Sequence, residues 1–175
     1  MGNDVVNATT NGLLASADIV VDRSTTDSDV LNATVNVSSG VAPRIQNVET
    51  LNISGQYAAT SLALTNVLGT QTVNLSTGIA GGTATVTDAS SINAVNVKAG
   101  ANVNTLSVTS SAAGTRDTVF VDAGSANSVT VAGNTAADLF DVKLASGASV
   151  TANGGTSIDA YTLNVGATAS VAGHN

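Results

Sequence analysis

The chain has 175 residues, enough for one domain with a substantial core, and it carries 12 acidic and 5 basic residues for a net charge of −7. The basic residues are scattered and form no phosphate-binding stripe, which argues against nucleic acid as a partner. The absence of cysteine excludes disulfides and thiolate sites, and no apolar run reaches the roughly 18 residues of a membrane-spanning helix. Apolar residues make up 43% of the chain and aromatic residues only 2%, so the core must use small aliphatic side chains, which favour strands.

The first 47 residues follow an irregular pattern. Alternation of apolar and polar residues predicts strands near residues 18–21 and 31–37, and the second strand ends at the turn-forming residues 38–40. The single proline, Pro43, comes shortly after this turn. We interpret residues 1–47 as an irregular N-terminal cap or first turn, because a stack of repeats needs an atypical end to cover its open core.

From residue 48 onward, short strand-like words recur at a nearly constant interval. Words that begin 22 residues apart open at Thr50, Thr72 and Ala94, and a second set lies between them at residues 61–64, 83–86 and 105–108. In the second half the interval is 21 residues, with one row opened by Asp117, Asp138 and Asp159 and another by Ser128, Ser149 and Ser170. Such a period is typical of stacked units. It predicts an all-β domain over residues 48–175, a right-handed parallel β-solenoid of about six 21–22-residue coils, with two strand rows per coil and room for a third short row.

The pattern inside the words predicts an inner and an outer face. Leu51 and Ile53 point to one side of a strand, and Asn52 points to the other. Stacking of the coils then aligns Asn52, Asn74 and Asn96 in an outer ladder with about 4.8 Å between neighbours. A β-sandwich, which also has strands at intervals of about 8–12 residues, is the alternative fold. The solenoid is favoured because stacked coils select the same residue type at the same position of each coil.

The row of aspartates contains the candidate metal ligands. Residues 154–161 match four of the five fixed places of the calcium-binding nonapeptide repeat, with Ser157 in place of a glycine, and residues 133–140 keep less of it. Glycine-rich turns let carbonyl oxygens and carboxylates surround a hard cation. Asp138 and Asp159 are therefore candidate calcium ligands, and calcium is the cofactor that the sequence suggests. The alternative is that these carboxylates cap turns or face solvent.

A second oxygen-rich group lies nearer the N-terminus. Asp27 and Asp29, with Asp22 close by, fall in a polar loop between two predicted strands. Carboxylates at this density suit a calcium ion, and a solvated loop is the alternative interpretation.

Two pairs of carboxylates have the residue type that glycoside-cleaving enzymes need, namely Asp138 with Asp141 and Asp117 with Asp122. The chain offers one histidine, His174, and few basic or aromatic residues to hold a sugar. We therefore predict that the protein is not an enzyme, and polysaccharide lyase is the weaker alternative.

Six consecutive residues carry a resemblance to a known family: Val48-Glu49-Thr50-Leu51-Asn52-Ile53. With the bias towards Thr, Ser, Ala, Gly and Val and the degenerate glycine-aspartate repeats, the chain resembles bacterial surface-layer proteins of the repeats-in-toxin type, as found on Caulobacter and Campylobacter cells. The resemblance implies an extracellular protein of the bacterial cell surface that self-associates in a lattice, attaches to surface polysaccharide and uses calcium. The predicted function is a stiff solenoid segment of such a lattice. A binding segment of a large secreted adhesin is the alternative.

Overall fold

The computed structural model describes residues 2–10, 14–35, 40–89, 95–111, 117–134, 138–153, 160–164 and 170–174. Within these residues the chain forms seventeen β-strands in three sheets. Every strand pairing among them is parallel. None of these residues belongs to a helix of the length and apolarity that crossing a bilayer requires.

The first sheet runs the whole length of the stack. Its eight strands, in spatial order, are β1 (Val5–Ala8), β3 (Val30–Val35), β5 (Thr50–Gly55), β8 (Thr72–Ser76), β10 (Val95–Ala99), β12 (Thr118–Asp122), β14 (Leu139–Lys143) and β16 (Ala160–Asn164). Successive coils are about 22 residues apart. Because spatial order follows chain order, each coil lies directly on the coil before it.

Two further sheets complete the coils. The second sheet holds β6 (Ala59–Ala63), β9 (Gly82–Ala89), β11 (Val103–Ser110), β13 (Ser128–Ala132), β15 (Ser149–Asn153) and β17 (Ser170–His174). A short third sheet holds β2 (Ile19–Val21), β4 (Arg44–Gln46) and β7 (Val67–Leu68). Among the described residues, the third row of strands is thus confined to the N-terminal part of the stack.

The predicted all-β parallel solenoid of about six turns is confirmed, and the β-sandwich alternative is wrong. A sandwich is built from antiparallel neighbours, whereas stacked coils run in the same direction. The right-handed winding stays a prediction. Strands β1 to β4, which come from residues 1–47, join the same sheets as the later strands, and the domain boundary at residue 48 also stays a prediction.

The strand register follows the predicted interval in the second half and departs from it at two pairings in the first half, β6 with β9 and β8 with β10. Leu139 pairs with Thr118 and Ala160, as the 21-residue interval requires. Lys98, however, stands opposite Asn74, so the prediction that Asn96 would continue the asparagine ladder is wrong. This coil is two residues longer than the interval of 22 implied. A shift of two residues preserves the alternation of inner and outer faces, and it therefore costs no core contacts.

The core is a column of aliphatic side chains that passes through all the coils. One row of it, read off the register of the first sheet, runs from Val6 through Leu31, Leu51, Val73, Val97, Val121 and Val142 to Leu163. Its members from Leu31 to Val142 are at most 1% exposed. β-Branched and small aliphatic residues pack well on a pleated surface, so a chain with almost no aromatic residues can still bury a continuous interior.

An aromatic pair packs in this core near the C-terminal end of the stack. Phe140 is fully buried, and its ring stacks on Tyr161 of the next coil with 5.4 Å between the centroids. The Tyr161 hydroxyl donates to the carbonyl oxygen of Asn153 at 2.8 Å. The polar end of the ring is therefore satisfied while its face remains in the core.

Candidate functional site

A column of acidic residues occupies the corner that precedes the first sheet. Asp4, Asp29, Glu49, Asp117 and Asp138 each stand immediately before a strand of that sheet. We call these five residues the corner column. Because the coils stack, residues from distant parts of the sequence meet there.

Carboxylates of the corner column accept backbone hydrogen bonds from the coil before. The Asp4 N–H donates to Asp29 Oδ1 at 2.8 Å, and the Asp29 N–H donates to Glu49 Oε2 at 2.7 Å. The Asp117 N–H likewise donates to Asp138 Oδ1 at 3.1 Å. Backbone donors at a corner have no ladder partner, and an ionised acceptor satisfies them strongly. The column therefore joins neighbouring coils where the sheet ends.

Asp138, a predicted calcium ligand, lies in this column and is 1% exposed. Besides the Asp117 N–H, its carboxylate accepts the Asn134 N–H at 3.1 Å and the Ser110 hydroxyl. A carboxylate with this many donors is satisfied without a cation, which supports the alternative of a turn-capping role. The other predicted ligand, Asp159, lies outside the described residues. Calcium at Asp138 and Asp159 stays a prediction.

The two carboxylate pairs considered for catalysis are split between the faces of the strands. Asp117 and Asp138 are buried, whereas Asp122 and Asp141 are only half-buried. The members of each pair are five and three positions apart, and an odd spacing in a strand places side chains on opposite faces. Sequence proximity therefore does not bring either pair into one groove.

The outer surface of the first sheet carries a ladder whose chemistry changes halfway. In its N-terminal half, Asn32 Nδ2 donates to Asn7 Oδ1 at 2.8 Å, and Asn52 Nδ2 donates to Asn32 Oδ1 at 2.8 Å. Asn74 Nδ2 donates to Asn52 Oδ1 at 2.7 Å. The next positions of the same row are Lys98, Asp122, Lys143 and Asn164. We call these eight positions the outer ladder, in which stacked amides give way to alternating charges.

The charged half of the outer ladder is held by attraction between coils. Lys143 Nζ lies 3.1 Å from Asp122 Oδ2. Burial raises the pKa of Asp122, but the Gly124 N–H and the Lys143 and Lys98 ammonium groups outweigh that effect, so the pKa lies below its ordinary value. Because the Lys143 side chain is 70% exposed, solvent screens the pair and its contribution to stability is about 1 kcal/mol or less.

A shallow groove follows the amide half of the outer ladder. Its volume is about 360 Å³, and Asn32, Asn52 and Asn74 line it together with the hydroxyls of Ser54 and Ser76. The groove therefore presents uncharged donors and acceptors at a spacing of one coil, beside apolar surface from residues that include Ala33 and Ala101. Such a surface can hydrogen-bond to repeated hydroxyl groups and contact the carbon atoms between them.

The loop between β2 and β3 gathers the other acidic group of the sequence. Asp22, Asp27 and Asp29 each offer a carboxylate oxygen, and these three oxygens lie within 4.8 Å of one another. Asp29 belongs to the corner column as well, so the loop is anchored on the stacked coils. The extension of the corner column to Asp4, Asp29 and Glu49 is absent from the sequence-based prediction. An acidic residue directly before a first-sheet strand is the signal that identifies it.

No family model, curated protein or solved structure matches this chain. The functional conclusion therefore rests on the fold and on these surfaces.

Proposed function

We propose that the chain is a structural, non-catalytic segment of a bacterial surface layer, a stiff solenoid that self-associates in an extracellular lattice on the cell. The observation that carries the proposal is the parallel stack itself. Each coil is joined to the next by a ladder of backbone hydrogen bonds, a common core and side-chain ladders. A rod made in this way resists bending and presents repeated surfaces along its length.

Four of the six residues behind the family resemblance have structural roles in the stack. Leu51 and Ile53 lie in the core, and Asn52 lies in the outer ladder. Glu49 belongs to the corner column, where it accepts the Asp29 N–H. Within six residues this segment supplies core side chains, an amide of the outer ladder and a carboxylate of the corner column. A rod built from stacked coils requires these three contributions, which supports the surface-layer interpretation.

One end of the stack offers an assembly surface. Strand β1 is the outermost strand of the first sheet, and its Val5 and Val6 are 60% and 43% exposed. Val6 stands over the fully buried Leu31, so the core column is open there. In the third sheet, Ile19 and Val21 of the outermost strand β2 are exposed too. Such an edge accepts a further strand and more apolar surface.

Electron microscopy of the concentrated protein tests the proposal together with sedimentation velocity. We expect filaments or ordered arrays for the wild-type chain. Val6→Lys places a charge at an inward position of the edge strand and is expected to abolish end-to-end growth. Phe120→Lys is the matched control, because Phe120 is 40% exposed on an interior strand. A wild-type chain that stays monomeric up to its solubility limit would contradict self-association.

The alternative function, a binding segment of a secreted adhesin, is favoured by the amide-lined groove. Sugar hydroxyls both donate and accept hydrogen bonds, as do the asparagine amides of the outer ladder. The same groove suits cell-surface polysaccharide in the surface-layer proposal. Binding of a polysaccharide by a chain that forms no array identifies the adhesin, and loss of that binding in Asn52→Ala assigns it to the groove.

A further inference from the structure

We propose that Asp22, Asp27 and Asp29 form a calcium site in the loop between β2 and β3. The site is separate from the aspartate row at Asp138 and Asp159, and it does not depend on the proposed lattice function. Two of its members are fixed by the sheets, because Asp22 follows the last residue of β2 and Asp29 precedes the first residue of β3. Asp27 reaches towards them from the loop.

Asp27 provides the observation that points to a ligand. Both of its carboxylate oxygens are buried, and neither accepts a hydrogen bond from any residue in the described part of the chain. A buried ionised group without a partner is strongly unfavourable, and two more carboxylates within 4.8 Å add repulsion. A bound cation removes both costs, since it supplies the missing partner and neutralises the cluster.

The two neighbouring carboxylates retain free binding capacity. Asp22 Oδ2 accepts the Ser24 N–H, and Asp29 Oδ1 accepts the Asp4 N–H at 2.8 Å. The second oxygen of each side chain makes no hydrogen bond to the described residues. These hydrogen bonds orient the carboxylates, as partners of metal ligands commonly do.

The donor set and its spacing favour calcium. Carboxylate oxygens are hard ligands, which suit Ca²⁺ and Mg²⁺ rather than metals that prefer imidazole or thiolate. At Ca–O distances of about 2.3–2.6 Å, ligands on opposite sides of the ion are up to about 5.2 Å apart. Oxygens within 4.8 Å of one another are therefore close enough to share one calcium ion. Mg²⁺ is the less suitable ion because it demands a regular octahedron and retains its waters.

The position of Asp29 gives the site a structural consequence. Asp29 accepts from Asp4 of the coil before and donates to Glu49 of the coil after. An ion held at Asp29 thereby joins the loop to three successive coils at the N-terminal end of the stack. Calcium is expected to stabilise this end against fraying, because it binds only the folded arrangement.

Titration of the chelator-treated full chain with CaCl₂ in a calorimeter tests the proposal. We expect one ion per chain and a melting temperature that rises with CaCl₂. Asp27→Asn is expected to weaken binding by at least about tenfold without lowering the melting temperature in chelator, because it removes an unpaired buried charge. Asp141→Asn is the control, since it deletes the same charge outside the cluster. Asp22→Asn repeats the test if circular dichroism shows that Asp27→Asn does not fold.

Three results would overturn the assignment. The first is the absence of binding by the wild-type chain at millimolar CaCl₂. The second is equal loss of binding in Asp27→Asn and Asp141→Asn, which would indicate a diffuse ion atmosphere. The third is binding of MgCl₂ as tight as that of CaCl₂. A chain that binds calcium at Asp27 but forms no array would contradict the proposed function and leave the site intact.

Discussion

Replacement of Asp138 by alanine tests whether its carboxylate caps a turn or binds a metal ion. The substitution leaves three donors without their acceptor: the N–H groups of Asp117 and Asn134 and the hydroxyl of Ser110. An unsatisfied buried donor costs about 1–3 kcal/mol. The Asp117 N–H and the Ser110 hydroxyl are buried and the Asn134 N–H is half-buried, so we expect Asp138→Ala to reduce the free energy of unfolding by at least about 2 kcal/mol.

Urea unfolding followed by circular dichroism, with and without chelator, measures this loss. A capping role predicts the same loss in both conditions, because the three donors belong to the protein. A calcium role for Asp138 predicts a loss that appears only when calcium is present. Asp141→Ala is the control, because its carboxylate is half-buried and its described hydrogen bond comes from Asn164 Nδ2; it should cost about 0.5 kcal/mol or less. A loss below about 1 kcal/mol for Asp138→Ala would refute the reasoning.

Three further tests examine the core, the outer ladder and the charges of that ladder. Leu106→Ala removes a fully buried side chain and should lower the free energy of unfolding in urea by about 2–5 kcal/mol. Ser107→Ala, on the outer face of the same strand, is the control and should change it by about 0.5 kcal/mol or less. Equal effects of the two substitutions would contradict the assigned inner and outer faces. Asn52→Ala deletes two amide hydrogen bonds and should lower the free energy of unfolding by about 1–3 kcal/mol in the same assay. An unchanged free energy of unfolding would show that the asparagine ladder does not stabilise the fold. The pKa of Asp122 is lowered in the folded state. Its pairing with Lys143 therefore stabilises the fold at pH values above the ordinary aspartate pKa of 3.8. This contribution is lost as the pH falls through the folded-state pKa. Unfolding curves of Asp122→Asn and wild type should therefore differ by about 1 kcal/mol or less at neutral pH and converge in acid, and a gap that widens in acid would reverse the sign of this linkage.

The calcium site and the assembly edge both lie at the N-terminal end of the stack, and different substitutions test them separately. Val6→Lys alters the edge strand and leaves the carboxylates of the loop in place, whereas Asp27→Asn does the reverse. Array formation that responds to Asp27→Asn only when calcium is present would connect the two through the coils joined by Asp29.

Strand position and facing were predictable because they depend on local alternation. Each word places apolar side chains at every second residue, and a strand can bury only one such set. Leu51, Val73 and Val97 are therefore inside whichever coil length the chain adopts. The regular interval in turn indicated stacked parallel coils, since hairpins give no reason for one word to recur at a fixed distance.

The sequence alone determined the kind of fold, its inner and outer faces and the alignment of the later coils. Tertiary structure decided the rest, because register, corners and loop packing depend on contacts between residues about one coil apart. Only the strand register shows that Lys98 rather than Asn96 follows Asn74, since a two-residue extension keeps the local pattern unchanged. Likewise, only the folded loop reveals that both oxygens of Asp27 are buried without a partner in the described chain, because burial is a property of the surrounding coils.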